Sequence, residues 1–174
     1  MTDEEIAKVE DLVNNAIIGN RLVDAKDVPL ELAQDIYGVR AVFGEQYPDP
    51  VRVVSIGVTV EDLLQDPNNI NWYDCSVEFC GGTHVNNCQS ARHFVILHEQ
   101  ALASGIRRII ALTGVAAEAS GVAGNSLMKQ IEDAKQLEGA ELLGTYNDLI
   151  REVDELTVSQ PTRHVAKQAI KTLH

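Results

Sequence analysis

Positive charge is in short supply in this 174-residue chain. Fourteen lysines and arginines face 26 aspartates and glutamates, giving a formal net charge of −12. That balance excludes a grip on nucleic acid through bulk electrostatics, which needs a surplus of cations at the phosphates. Contact with RNA would have to run through a local patch or through other domains. Apolar runs are also short, and none approaches the ~20 residues a helix needs to cross a bilayer. The opening MTDEEIAKVEDLV is acidic, with neither the basic start nor the apolar stretch of a secretory signal. A cytoplasmic location without a membrane partner is expected. Cysteine is scarce and odd in number, three residues, which argues against a disulfide framework. Low-complexity tracts and internal repeats are missing as well.

What is present suits an ordinary globular chain: 45% hydrophobic and 23% charged residues, long enough for one domain with or without an appendage. Thr2 and Glu5 have the spacing of a capping box. Ile6, Val9, Val13 and Ile17 then recur at helical spacing until Gly19-Asn20 supplies a stop. A short strand over 21–25 and a short helix opened by Pro29 are predicted next. EQYPDPVRVVSIGV reads as a proline turn feeding a strand, with Val51, Val53 and Ser55 facing one way and Arg52, Val54 and Ile56 the other. LLQDPNNINWYDCS reads as loop. HFVILHEQ and IRRIIALTG, joined by ALASG, predict a hairpin. The small-residue stretch GVAAEASGVAGNS reads as a boundary whose alanines could also open a helix. Beyond it Leu142, Tyr146, Leu149, Val153 and Leu156 step by four, three, four and three, the seam of a coiled coil or helical hairpin. Pro161 fits the first turn of a further helix, with Val165 and Ala169 continuing the spacing. The fold class expected is α+β, an antiparallel sheet with packed helices over residues 1–120, followed by a helical appendage over 121–174.

The chemistry concentrates at FCGGTHV, residues 79–85. Cys80 and His84 are four apart, but Gly81 and Gly82 between them argue for a loop, whose backbone freedom would let both side chains point inward. Thiolate and imidazole together are a zinc donor set, and two ligands make half of a tetrahedral site. The plainer reading is that Cys80 is a small buried hydrophobe and His84 a surface residue. A self-contained knuckle of Cys75, Cys80, His84 and Cys88 is a further alternative, with spacings imperfect for short zinc modules. His93 and His98 differ by five, so on an ideal strand they point to opposite faces and make a poor ligand pair. Neither a Ser–His–Asp set nor a phosphate-cradling glycine loop is evident.

SVEFCGGTHV, followed by a hairpin ending SGIRRIIALTG and preceded by VRAVFGEQYPDPVRVVSIG, resembles the editing domain of the alanyl-tRNA synthetase family, in its cytosolic eukaryotic or archaeal style. The opening helix and the heptad-like tail fit in order, so the resemblance covers essentially the whole chain. It implies a site that hydrolyses seryl or glycyl esters of alanine tRNA. Its zinc would be held by Cys80, His84 and two histidines of an H-x-x-x-H helix. It also implies that Gly81, Gly82 and Thr83 shape the substrate pocket and that Arg107 and Arg108 face RNA or stabilise the site. For one of the two arginines, a solvated strand edge with charge pairing is the equal alternative, because neighbours on a strand point oppositely. No H-x-x-x-H occurs in the 174 residues. The expectation is therefore a piece of a larger synthetase with two of four zinc ligands, inactive alone. ATP and Mg would serve an aminoacylation domain elsewhere, and the partners would be alanine tRNA and the rest of the enzyme. The helical tail offers self-association. A non-catalytic zinc-binding or association module is the competing reading.

Overall fold

The computed structural model describes residues 1–42 and 44–173 and divides the chain into two compact units, 16–90 and 1–15 with 91–174.

The 16–90 unit is built on a three-stranded antiparallel sheet of β1 (Val23–Val28), β2 (Val51–Ile56) and β3 (Ser76–Phe79), with β2 in the centre. In β2, Val51, Val53 and Ser55 are buried and Arg52 is exposed, as alternation predicts; Val54, on the other face, is buried too. Helices α2 (Leu30–Gln34) and α3 (Val60–Gln65) bury Ala33, Val60 and Leu63 against Val28, Val51, Val53 and Val77. Thr59 opens α3 as an N-cap, its hydroxyl accepting from the Asp62 amide at 3.1 Å. The first strand runs later than the predicted 21–25. LLQDPNNINWYDCS is less irregular than predicted: its first residues complete α3, and a 3-10 helix spans Ile70–Asp74. The Trp72 indole NH anchors that turn by donating to the Asp66 carbonyl at 2.7 Å.

The other unit holds a two-stranded hairpin, β4 (Phe94–Ala103) and β5 (Ile106–Thr113), and the helices α4 (Gly114–Ala134), α5 (Gly139–Glu155) and α6 (Gln160–Lys171). ALA of the predicted connection extends β4, leaving a tight turn in which Gly105 takes φ +74°. Helix α1 (Asp3–Ile18) opens with the predicted capping box: the Glu5 amide donates to the Thr2 hydroxyl at 3.2 Å, and the Thr2 amide donates back to the Glu5 carboxylate at 2.8 Å. Side chains of α1 and α6 satisfy the outer edge of β4. Asn14 donates to the Phe94 carbonyl at 2.9 Å and accepts from its amide at 3.0 Å, and Glu10 accepts from the Ile96 amide at 2.5 Å. A register shift between Ile96 and His98 changes which residues face outward, so the next outward amide is that of Glu99, which donates to Gln160 at 2.8 Å. A side-chain amide here substitutes for a missing strand, protecting an edge that would otherwise template pairing. Asn14→Leu should leave both Phe94 backbone groups unpaired and cost about 1–3 kcal/mol in chemical denaturation. A change under about 0.5 kcal/mol would show that solvent replaces the amide without loss.

The small-residue stretch forms α4, and residue 120 lies inside it. Ala117, Ser120 and Gly124 are buried, and a Cβ on Gly124 would stand 3.1 Å from the Thr162 methyl, so small side chains permit close approach of α6. The predicted seam of α5 is present, with Leu149 and Val153 fully buried. It faces α4 and α6 of the same chain, in a core of Leu127, Ile131, Leu149, Val153, Ala166 and Ile170. In α6 Ala166 and Ile170 are buried and the predicted Ala169 packs against the same core, whereas the predicted Val165 is exposed; Ser159 caps the helix. No helix among the described residues is long and apolar enough to cross a membrane.

Candidate metal centre

The FCGGTHV loop leaves the sheet at Cys80, whose amide donates to the Arg52 carbonyl at 3.1 Å, extending the β2–β3 ladder by one bond. It rejoins at Asn86, whose carbonyl accepts from the Val23 amide at 3.1 Å. The chain then pairs Asn87 with Leu22, and the Cys88 amide donates to the Arg21 carbonyl at 2.9 Å. β3 and β1 lie on opposite sides of β2, so residues 81–85 pass from one edge of the sheet to the other. Both ends of the loop are therefore held by backbone bonds to strands β2 and β1, while its middle is exposed.

Cys80 and His84 are both exposed, and neither side chain makes a hydrogen bond or ion pair among the described residues. Their side chains converge on Gly82. A Cβ built there would lie 3.6 Å from Cys80 Sγ and 4.0 Å from His84 Cε1. The absence of a side chain at Gly82 leaves room beside both a soft thiol and an imidazole, a zinc donor pair by type. The residues present thus fit zinc as two of its ligands. Thr83 is exposed beside them. Among the described residues no group of three or more histidine, cysteine, aspartate or glutamate side chains could hold a metal, so Cys75, Cys80, His84 and Cys88 do not assemble as a knuckle. Cys88 is buried, and burial pushes its thiol pKa up, the wrong direction for a thiolate ligand. His93 precedes β4 and His98 lies on it, bonded to Gln100 at 3.2 Å.

Arg107 and Arg108 lie on β5, in the other unit. Arg107 grips Glu99 of β4 with two hydrogen bonds, Nε to Oε1 and Nη2 to Oε2, the latter at 3.1 Å. The guanidinium holds the Glu99 carboxyl below the usual carboxylate range. Arg108 is exposed and has no side-chain partner among the described residues. The pair therefore divides as strand alternation requires, one arginine engaged and one free.

A cavity of about 490 Å³ opens beside Cys80 and Gly81, walled by Tyr47, Pro48, Pro50, Val51, Arg52 and Phe79. Spacing along the sequence gave no hint of it, because Val42 and the stretch Glu45–Pro50 fold back to make its wall. Tyr47 fixes that loop by accepting from the Val42 amide at 2.8 Å, and Asp49 by accepting from the Leu30 amide at 3.0 Å.

Residues 51–110, from β2 through the loop to β5, match the family described as the threonyl and alanyl tRNA synthetase second additional domain. Across 171 residues, 98% of this chain, it is 41% identical to the cytoplasmic alanine–tRNA ligase of Dictyostelium discoideum. The sequence is of alanyl-tRNA synthetase type. The mitochondrial alanine–tRNA ligase of Saccharomyces cerevisiae is 56% identical over 117 residues, 67% of this chain, and the alanine–tRNA ligase of Candida albicans is 49% identical over 137 residues, 79% of it. The match extends beyond residue 110, so the relatedness to alanine–tRNA ligases includes the helices and not only the loop-bearing segment. This chain spans 18% of the Dictyostelium protein and 12% of the yeast mitochondrial one.

Proposed function

We propose that this alanyl-tRNA synthetase stretch contributes one side of a hydrolytic editing site that clears serine or glycine wrongly esterified to alanine tRNA. The observation that carries this reading is the convergence of Cys80 and His84 on Gly82, in a loop clamped at both ends. Cys80 and His84 would hold zinc, with its further ligands supplied from outside the described residues. A bound zinc supplies a polarised ester carbonyl or an acidified water. The protein's own part is positional. Backbone bonds at Cys80 and Asn86 fix where the donor atoms stand, and Gly81 and Gly82 leave the approach to them open. Thr83 and the neighbouring cavity give the aminoacyl group somewhere to be held. Serine differs from alanine by a hydroxyl, which only a site with polar groups recognises strongly.

In the whole enzyme, attachment of alanine using ATP and Mg would belong to another domain, and alanine tRNA and the remainder of the synthetase would be the partners. The net charge of −12 favours a main grip on tRNA outside this chain, with exposed Arg108 as a local contact. A cytoplasmic location follows the cytoplasmic relatives. The competing reading is an association module without catalysis, favoured by Leu143, Ile150 and Val165, which stand exposed on α5 and α6.

The deciding experiment measures seryl-tRNA hydrolysis by a synthetase containing this stretch, with Cys80→Ala and His84→Ala. Hydrolysis and zinc content should fall together while alanine attachment persists. Unchanged hydrolysis in both variants would leave the association reading standing.

A further inference from the structure

We propose that the cleft where α1, β4, α4 and α6 meet binds a small aliphatic amine, with Ser120 and Glu10 taking its ammonium head. The cleft has a volume of about 330 Å³, within the usual range for small-ligand sites. All its walls belong to the unit of 1–15 and 91–174 and none to the Cys80 loop, so nothing in it depends on the editing reading.

Ser120 points to a ligand. A serine inside a helix can satisfy its hydroxyl on the carbonyl one turn back. Ser120 lines the cleft from within α4 and is 4% exposed, yet its Oγ has no hydrogen-bond partner among the described residues. A buried hydroxyl left unpaired destabilises the empty fold, and a polar guest relieves it. The charge of the walls decides which guest. Glu10 and Asp11 of α1 supply two carboxylates, and no lysine or arginine lines the cleft. Glu10 Oε1 accepts from the Ile96 amide, while its Oε2 and the Asp11 side chain have no partner among the described residues. Burial pushes the Glu10 carboxyl above its ordinary range, and the neighbouring Asp11 adds to the effect; no cation offsets either.

Other polar walls are already engaged, Asn14 with the Phe94 backbone and Ser159 with Thr162. The side chains of His93 and Asn125 have no partner among the described residues. A Cβ on Gly121 would stand 3.7 Å from His93 Nε2, which sets the imidazole against α4 one residue past Ser120. Each unpaired group can thus accept a hydrogen bond, and two of them are carboxylates. A primary ammonium carries three donors and no acceptor, the complement of that set. A carboxylate or phosphate would meet like charge. A metal ion is not served, since no group of three or more metal-ligating side chains assembles among the described residues. Phe94, Val95 and Met128 line the same cleft and suit a methylene chain.

The test is amide NMR of this chain titrated separately with butylamine, butyrate and magnesium chloride at physiological ionic strength. Butylamine should shift the amides of Asp11, His93, Ser120 and Asn125 saturably, with a Kd on the order of 1 mM, and butyrate should shift none. Ser120→Ala should weaken butylamine about tenfold, the scale of one hydrogen bond to a charged group. Without amine, the same variant should be no less stable to urea than wild type, because the hydroxyl it removes has no partner. Asp11→Asn, at an exposed position, should weaken butylamine severalfold. Glu141→Gln, an exposed acid of α5, should leave it unchanged. Magnesium shifting the same amides as strongly as butylamine, or equal losses at Asp11 and Glu141, would reveal only attraction to an acidic surface and overturn the site. A Ser120→Ala chain that binds butylamine as wild type does, or that is less stable without it, would sink the role of the hydroxyl and the site with it. Nα-acetyl-lysine methylamide binding tighter than butylamine would overturn a free amine as the occupant and give the cleft to a lysine of another polypeptide.

Discussion

Leu63→Ala is expected to destabilise the 16–90 unit by about 2–5 kcal/mol, with loss of the sheet that carries the Cys80–His84 loop. Leu63 is fully buried on α3, within the cluster that joins Val53 of β2 and Val77 of β3. Removing its branched end leaves a cavity lined by strand residues, which hydrogen-bond in a ladder and cannot collapse inward without breaking it. The loss falls on the segment leading to the loop, because Val77 lies three residues before Cys80. Trp72, the chain's single tryptophan, packs against the same cluster, so its fluorescence in urea reports this unit directly. The midpoint should drop while the slope stays constant. A drop equivalent to less than about 1 kcal/mol would mean that α3 is not packed on the sheet as described.

Much of this architecture was legible because it follows from local rules. The capping box at Thr2 and Glu5, the alternation in β2, the hairpin turning at Gly105 and the α5 seam all express short-range periodicity. What escaped was set by distant neighbours. GVAAEASGVAGNS carries a helix's small side chains, which read as punctuation until α6 is seen to need the space at Gly124. On α6 the predicted Ala169 packs on the core but Val165 is exposed and Ala166 and Ile170 are buried instead, since the neighbouring helices decide which side of α6 is covered. At the candidate site, Cys80 and His84 stood out by residue type. The cavity did not, since Asp27, Tyr47 and Arg52 are scattered in sequence and meet only through β1–β2 register and the returning loop. The glycine pair was legible as flexibility. Its second role, space between two donor atoms, needed coordinates.

That second role yields the sharper expectation for the metal. In a synthetase containing this stretch, Gly82→Val should weaken zinc binding by about tenfold to a hundredfold while leaving the fold intact. A Cβ at this position already reaches van der Waals contact, 3.6 Å from Cys80 Sγ and 4.0 Å from His84 Cε1. The two further methyls of valine must enter the wedge between thiol and imidazole or push one of them aside, at an overpacking cost of about 1–3 kcal/mol. That range converts to the stated loss of affinity. Gly82→Ala adds only the tolerated contact and should lose less. The neighbouring Gly81→Ala is the control, because a Cβ there meets nothing within 4 Å. Zinc affinity measured by competition with a chromophoric chelator should therefore rank wild type and Gly81→Ala together, then Gly82→Ala, then Gly82→Val. The urea midpoint should barely move across the series, since the loop is exposed and its anchoring bonds at Cys80 and Asn86 lie outside the substituted positions. If Gly81→Ala and Gly82→Val lost zinc equally, the loop would be sensitive through its backbone flexibility. If neither lost any, Cys80 and His84 would not share an ion, and the editing proposal would lose the observation it stands on.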